Sequence, residues 1–411
     1  MTNWEILLWI GIVYAIIEFF MIIWVKNVRK NFQWLITNKD EKPFLSKEGL
    51  KKFFLKGYDP ELGWIRKPNT SDTEIGKFGN VSWNINEKGS RINPNFEQLQ
   101  SEISCYGDSF TFCRQVNDDE TWEHFLSEME TSNVLNFGVG NYGLDQTLLR
   151  LKREYPKNRT KYVILGVVPD TISRIMSYWK HYYEYGNTFG FKPKFILNND
   201  SLELIKNKID DESKFEHYYQ FLKEVKKLDY FYKNKFSNEK IHFPYFFSLL
   251  KNAKRNFSIL FWVTLIQLLK NLGKNYSIYE WKPMDVIMKI NHSWRLKLYS
   301  NNHATQLLKK IIEEYVIYAK KNNFIPIFMF LPQKDDIHFI NNNFHFYKEF
   351  QQSIREIKEL HTIDITNEFL NKQDFDKFYS DDNEYGGHLS KEGNHYVAEI
   401  IHSKLMAIDS Y

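Results

Sequence analysis

The chain reads as an α/β protein, a parallel sheet covered by helices on both faces, and three observations predict this. Apolar, β-branched runs of strand length recur at 103–107, 133–138, 162–168, 324–331 and 362–366. Helical patterns separate them, at about 121–126, 145–154, 305–320 and 344–360, and such alternation argues for βαβ connections. Turn signals close the first and third runs, Gly107-Asp108-Ser109 and Pro169-Asp170. At 411 residues the chain exceeds one average domain. The expected organisation is an anchor over 1–30, a lead-in of loops and short strands over 31–100, and an α/β domain over 101–411 with a mostly helical insertion at about 178–301.

The N-terminal run 6–25 is apolar except for Glu18, and at ~1.5 Å rise per residue it matches the ~30 Å hydrocarbon core of a bilayer. It reads as a single transmembrane helix. Trp4, Trp9 and Trp24 suit interfacial belts, and the run has neither a preceding basic region nor a following small-residue cleavage site, so it is expected to stay attached. A carboxyl at the depth of Glu18 must be protonated or paired. Lys26, Arg29, Lys30 and Lys39 follow the run, which by the positive-inside rule puts the rest of the chain in the cytoplasm.

In the lead-in, turn signals stand at 58–64 and 67–70, and 81–86 alternates as a strand does before a turn at 87–91. Arg91 is expected to be solvated or, failing that, an anion contact. The first sheet strand ends in the Gly-Asp-Ser turn, and a serine just past the carboxyl end of a parallel strand sits where open α/β sheets bind ligands. The second strand leads into the loop 140–143 and the helix 145–154, and the third strand closes on Pro169-Asp170. Within the insertion, 189–205 reads as a hairpin around Asn198-Asn199-Asp200, and 258–269 as a packed or interfacial helix. Trp179, Tyr182, Tyr183 and Tyr185 are expected in core packing rather than stacked on sugars. After the insertion the alternation resumes, and the loop 380–390 precedes a terminal helix at 391–406.

Composition excludes several functions. A net charge of +4 spread over scattered Lys and Arg gives no nucleic-acid footprint. The two cysteines, Cys105 and Cys113, resemble neither a disulfide framework nor a zinc site. A serine hydroxyl, however, becomes a nucleophile once a base takes its proton. His388, in a Gly-Gly loop just before a helix, is the candidate base for Ser109.

Together these residues carry a resemblance. Gly107-Asp108-Ser109-Phe110, the run Asn136-Phe137-Gly138-Val139-Gly140-Asn141-Tyr142-Gly143-Leu144-Asp145-Gln146, and Gly386-Gly387-His388-Leu389-Ser390 with Gly393-Asn394 make the chain similar to the SGNH, or GDSL-like, hydrolases. It looks closest to bacterial members associated with surface polysaccharide ester chemistry. The resemblance implies a three-layer α/β/α, flavodoxin-like fold of about five parallel strands and serine-dependent cleavage of an ester, with neither metal nor cofactor. Ser109 would be the nucleophile and His388 the base. The aspartate that usually stands three residues before the histidine is replaced by Tyr385, so Asp382 is the first choice to orient the imidazole, with Asp381 and Glu384 as alternatives. The oxyanion hole would combine the N–H groups of Ser109 and Asn141 with Thr171, because Val168-Pro169-Asp170-Thr171 lacks the family's third-block asparagine. Asn136 and Gln146 are expected to be structural hydrogen-bonders. The implied substrate is an acylated carbohydrate, the implied reaction a hydrolysis or acyl transfer; the alternative is a weak or inactive homologue that binds glycan in a modification or export assembly.

Overall fold

The structure, a computed structural model, describes residues 2–381, 385 and 387–410. Its contacts divide the chain into two units, one of Met1–Ser46, Trp179–Phe189 and Tyr218–Ser293, the other of Lys47–Tyr178, Gly190–His217 and Trp294–Tyr411.

The first unit is built on helix α1 (Asn3–Asn31), which starts with a reciprocal cap between Thr2 and Glu5. It is long and apolar enough to cross a membrane, and Leu7, Leu8, Trp9, Ile10, Phe19 and Phe20 are exposed along it. Glu18, the one charge within the apolar run, is buried. Its carboxylate accepts the N–H groups of Tyr245 and Phe246 (3.0 Å for the latter) at the start of the helix Tyr245–Lys251. There an anion satisfies orphan donors and faces the positive end of the helix dipole. Further along, Trp24 Nε1 donates to Thr264 at 2.7 Å and Asn27 to Gln267 at 2.8 Å, so the helix Ala253–Asn271 is packed on α1. Val25, Val28, Ile259, Leu260 and Val263 form the core between them. Trp179, Tyr182 and Tyr183 are also fully buried in this unit, against His181, Phe236 and Phe231. They are core, as expected.

The second unit holds the sheet. Its strands are β1 (Ser101–Gly107), β2 (Asn133–Asn136), β3 (Tyr162–Val167), β4 (Ile325–Phe330) and β5 (His361–Asp364), all parallel, in the spatial order β2-β1-β3-β4-β5. This is the flavodoxin-like order. Helices α2 (Trp122–Glu130), α3 (Leu144–Glu154), α4 (Thr171–Met176), α5 (Asn302–Asn322) and α6 (Lys391–Asp409) flank it. Ile103 and Cys105 of β1, with Val134, Ile164 and Ile327, meet α2 and α6 on one face. The alternate residues face α3, α4 and α5, where Tyr106 stacks on Phe137 at 5.0 Å and Tyr315 of α5 donates to Val163 O at 2.6 Å.

Outside the sheet, the strand expected near 81–86 is Gly79–Asn84, paired antiparallel with Ser71–Gly76. The expected hairpin is present as Lys194–Asn198 and Ser201–Ile205, with Asn199 and Asp200 both at positive φ in its turn. The helix expected at 344–360 is shorter, Lys348–Arg355, and a further helix that was not expected, Lys334–Asn342, precedes it.

From β1 the chain moves to β2 on one side and then crosses to β3 on the other, so the carboxyl ends of β1 and β3 lie side by side at the switch point where such sheets bind ligands. Gly107 is paired with Gly166 there, and a Cβ on Gly107 would come within 1.9 Å of Gly166 O and 2.3 Å of Thr111 Oγ1. No side chain fits. Gly107→Ala is therefore expected to lower stability by about 1–3 kcal/mol, read as a fall in the thermal midpoint of the detergent-extracted protein; an unchanged midpoint would show that the strands can part at no cost.

Candidate active site

The turn after β1 is held by a buried carboxylate. Asp108 accepts the N–H groups of Phe110 and Val168, each at 2.9 Å, and Arg174 Nη1 at 3.0 Å. Burial nonetheless raises its pKa above the ordinary aspartate value, against the pull of Arg174 and the two N–H groups. The next residue is Ser109, 6% exposed. Thr111 closes the turn by donating to Gly166 O at 2.7 Å.

The loop after β2 runs beside this turn. Asn136 donates to Thr111 O at 2.7 Å and accepts from Gly138 N at 2.9 Å, while Gln146 donates to Leu62 O at 2.7 Å, so both do the structural work expected of them. Asn141 sits at φ +68°, a left-handed conformation that asparagine tolerates. Trp64 clamps the loop by donating to Gly140 O at 2.9 Å and accepting from the Tyr142 hydroxyl at 2.5 Å.

The turn after β3 corrects one expectation. Thr171 is fully buried, its Oγ1 accepts Leu144 N–H at 2.8 Å, and its own N–H donates to Val168 O at 2.9 Å. It satisfies an orphan donor in the first turn of α3 and is out of reach of an oxyanion. Asp170 lies between two guanidinium groups, Arg174 at 3.3 Å and Arg295 at 3.3 Å. Its charge is compensated.

His388 reaches the site from the loop before α6. Its ring packs at 5.0 Å on the ring of Phe110, the residue after Ser109, so the structure brings Ser109 and His388 to the same end of the sheet. Nδ1 is 3.0 Å from Gln115 Oε1. The same oxygen accepts His388 N–H at 2.8 Å and the Ser380 hydroxyl at 2.8 Å. An atom that accepts from two such donors is the carbonyl oxygen of the amide, so Nδ1 carries the ring proton and Nε2 is the basic nitrogen. Burial, then Arg114 and Arg174, push His388 well below the ordinary histidine value and keep it neutral. Asp382 and Glu384 lie outside the described residues.

Gln115 is the site residue that sequence reasoning missed, and its own position is tightly built. It has φ +68°, and its N–H donates to Glu74 Oε1 at 2.9 Å. Glu74 also pairs with Arg114 at 2.5 Å, which joins the Ser71–Gly76 strand to the site. Arg91 corrects a second expectation, being neither solvated nor an anion contact. It is 2% exposed and donates to Phe112 O (2.7 Å), Cys113 O (2.6 Å), Val116 O (2.7 Å) and Asp118 (2.7 Å). It thereby shapes the whole loop from the serine turn to Gln115.

A buried serine and a neutral, oriented imidazole at the same end of a parallel sheet are the residue types that acyl transfer through a covalent serine intermediate uses. Among the described residues both cysteines are free and buried.

No protein-family model matches the chain. No curated protein matches it either. Among solved structures it is similar to a putative lipolytic protein of the G-D-S-L family from Desulfitobacterium hafniense DCB-2, at 13% identity over 74% of this chain and 98% of that one, with a TM-score of 0.34. It is similar also to the acetyl xylan esterase AlAXEase (10% identity, 74% and 98% covered, TM-score 0.33). A third is the psychrotrophic esterase EstA from a Pseudoalteromonas species, in a structure inhibited by monoethylphosphonate (10% identity, 76% and 100% covered, TM-score 0.32).

Replacing Arg91 would take its donors from three carbonyl oxygens and its charge from the buried Asp118 carboxylate, which would keep only its bonds from Asn84. Arg91→Met is expected to destabilise the unit by about 3–5 kcal/mol, measured as a lowered thermal midpoint; a midpoint within a degree of wild type would mean the loop holds its shape unaided.

Proposed function

We propose that the chain is a membrane-anchored SGNH-like serine esterase, or the related O-acyltransferase, acting on O-acyl and chiefly O-acetyl groups of a carbohydrate. The observation that carries the reading is the His388 imidazole, oriented by Gln115 and packed on Phe110 beside Ser109. The carbohydrate ester comes from the sequence resemblance. In the reaction Nε2 of His388 takes the Ser109 proton as Oγ attacks the ester carbonyl. The N–H groups of Ser109 and Asn141 receive the developing oxyanion. His388 then gives the proton to the departing sugar oxygen, which leaves an acyl-serine. Water, or an acceptor hydroxyl in a transferase, attacks that intermediate with the same base. Gln115 takes the orienting place for which Asp382 was the first choice. Helix α1 supplies the anchor, and the basic residues after it favour a cytoplasmic face.

A glycan-binding homologue with little activity is the second reading. Two observations favour it: Thr171 is engaged with α3, and the partner of Nδ1 is an amide, which stabilises an imidazolium less than a carboxylate does.

Fluorophosphonate labelling of the detergent-extracted protein separates the two. The esterase reading expects labelling that is abolished in Ser109→Ala and His388→Ala, and slowed roughly tenfold to a hundredfold in Gln115→Ala. Folded wild-type protein that takes no label would decide for the binding module.

The pH dependence follows from the depressed His388. The base must be neutral, so the labelling rate is expected to hold as pH falls through the ordinary histidine value of ~6.5 and to decline only below it. Arg114→Gln removes a positive neighbour that disfavours the imidazolium, and Gln115→Glu adds a negative one; both are expected to move the acid limb to higher pH. A limb that stays in place in both variants would show that His388 is not the titrating base.

A further inference from the structure

Arg150 of α3 is buried in a way that Arg91 is not. It is 2% exposed, its guanidinium lies 5.6 Å from the Phe137 ring, and Nη2 donates to Gly89 O at 2.8 Å. Its Nε and Nη1 meet no acceptor, and no carboxylate among the described residues comes within ion-pair distance of it. Arg91, equally buried, has four acceptors, one of them a carboxylate. A buried guanidinium without a counterion is costly, and burial pushes Arg150 below the ordinary arginine range.

Arg150 lines a cavity of about 340 Å³ together with Arg66, Lys88, Arg153 and Lys157. The carboxylates in its wall are Glu87 and Glu154. Glu154 is already taken, by Arg153 at 3.0 Å and Lys157 at 3.9 Å, and Arg153 also pairs with Asp59 at 2.8 Å. Glu87 is the other carboxylate of the wall, while Asp72 and Glu74 act on Arg66 from outside it and are themselves paired with Lys56 and Arg114. Arg66 is set for recognition: its guanidinium is stacked at 4.2 Å on the Trp83 ring and 4.8 Å from that of Phe112, and no acceptor bonds it among the described residues. Stacking fixes the plane of the fork and leaves its N–H edges for an anion. Burial and Arg114 hold Arg66 down at about 10, so it remains a cation at neutral pH.

We propose that this cavity binds a ligand through an oxyanion group, a phosphate or a carboxylate, held between the Arg66 and Arg150 guanidinium groups. The Arg66 fork matches the paired oxygens of either group, and the anion supplies the countercharge that Arg150 lacks. Lys88, at the exposed turn, adds a point charge. None of these residues belongs to the Ser109 and His388 machinery, so the proposal stands or falls apart from the esterase reading.

The test is calorimetric titration of the full chain in detergent, at an ionic strength held constant with sodium chloride, using inorganic phosphate in one arm and glucuronate in the other. Saturable binding above the chloride background in at least one arm is expected, weakened roughly tenfold or more in Arg66→Gln and in Arg150→Gln. Lys88→Glu, a surface change, is expected to weaken it as well. Thermal midpoints report whether each variant is folded; should Arg150→Gln not fold, Arg66→Gln and Lys88→Glu carry the test. Which arm responds identifies phosphate or carboxylate as the ligand group. No saturable binding in either arm, or binding that survives both Arg66→Gln and Lys88→Glu, overturns the proposal.

Discussion

Arg174 is the group on which the candidate site depends. Its guanidinium bonds the Asp108 carboxylate at 3.0 Å, Tyr142 O at 3.1 Å and the Asp170 carboxylate at 3.3 Å. One side chain thereby joins the serine turn after β1, the loop after β2 and the turn after β3. The strand order brings those three segments to one edge of the sheet, but it does not lock their separations. The lock is a row of alternating buried charges, Asp108, Arg174, Asp170, Arg295, in which each inner member has an opposite charge on both sides. Such a row adds little net stability over an apolar core. Its value is geometric, since removing any member would leave its neighbours charged and buried, and the loops can adopt no other spacing cheaply.

Burial first, and the same concentration of cations second, set the charge state of His388. A half-buried imidazole near Arg114 and Arg174 is held neutral, which suits the base of the proposed acyl transfer. The amide of Gln115 directs that proton to Nε2 without supplying a full negative charge. Orientation and charge stabilisation, which one carboxylate commonly provides together, are here separated, and in the proposed reaction the imidazolium would rely more on its surroundings.

The sheet was legible in the sequence because each of its strands carries its own signal, a short apolar run closed by a turn. The Gly-Asp-Ser turn and the loop histidine were legible for the same reason, as local patterns that the structure brings to the same end of the sheet. Gln115, Arg91 and Thr171 were not. Each acts where segments far apart in sequence meet: Gln115 faces a histidine 273 residues away, and Arg91 serves a loop about 25 residues on. A lone glutamine after a cysteine and an arginine carries no periodicity to reveal that. The late start of the helix expected at 344–360 was hidden as well, because Tyr347, just before it, and Phe350 within it are buried by tertiary packing.

The carboxylate of Glu18 has a consequence for how the molecule is made. The N–H groups that receive it belong to residues 227 and 228 positions later. At ribosomal speeds of roughly 5–20 residues per second, helix α1 is made about 11 to 45 seconds before those partners exist. The apolar helix therefore begins its life with an unsatisfied acid in its middle and cannot settle into its final packing until the segment around Tyr245 has been synthesised. Assembly of this unit is for that reason a late step, tied to translation of the second half of the chain.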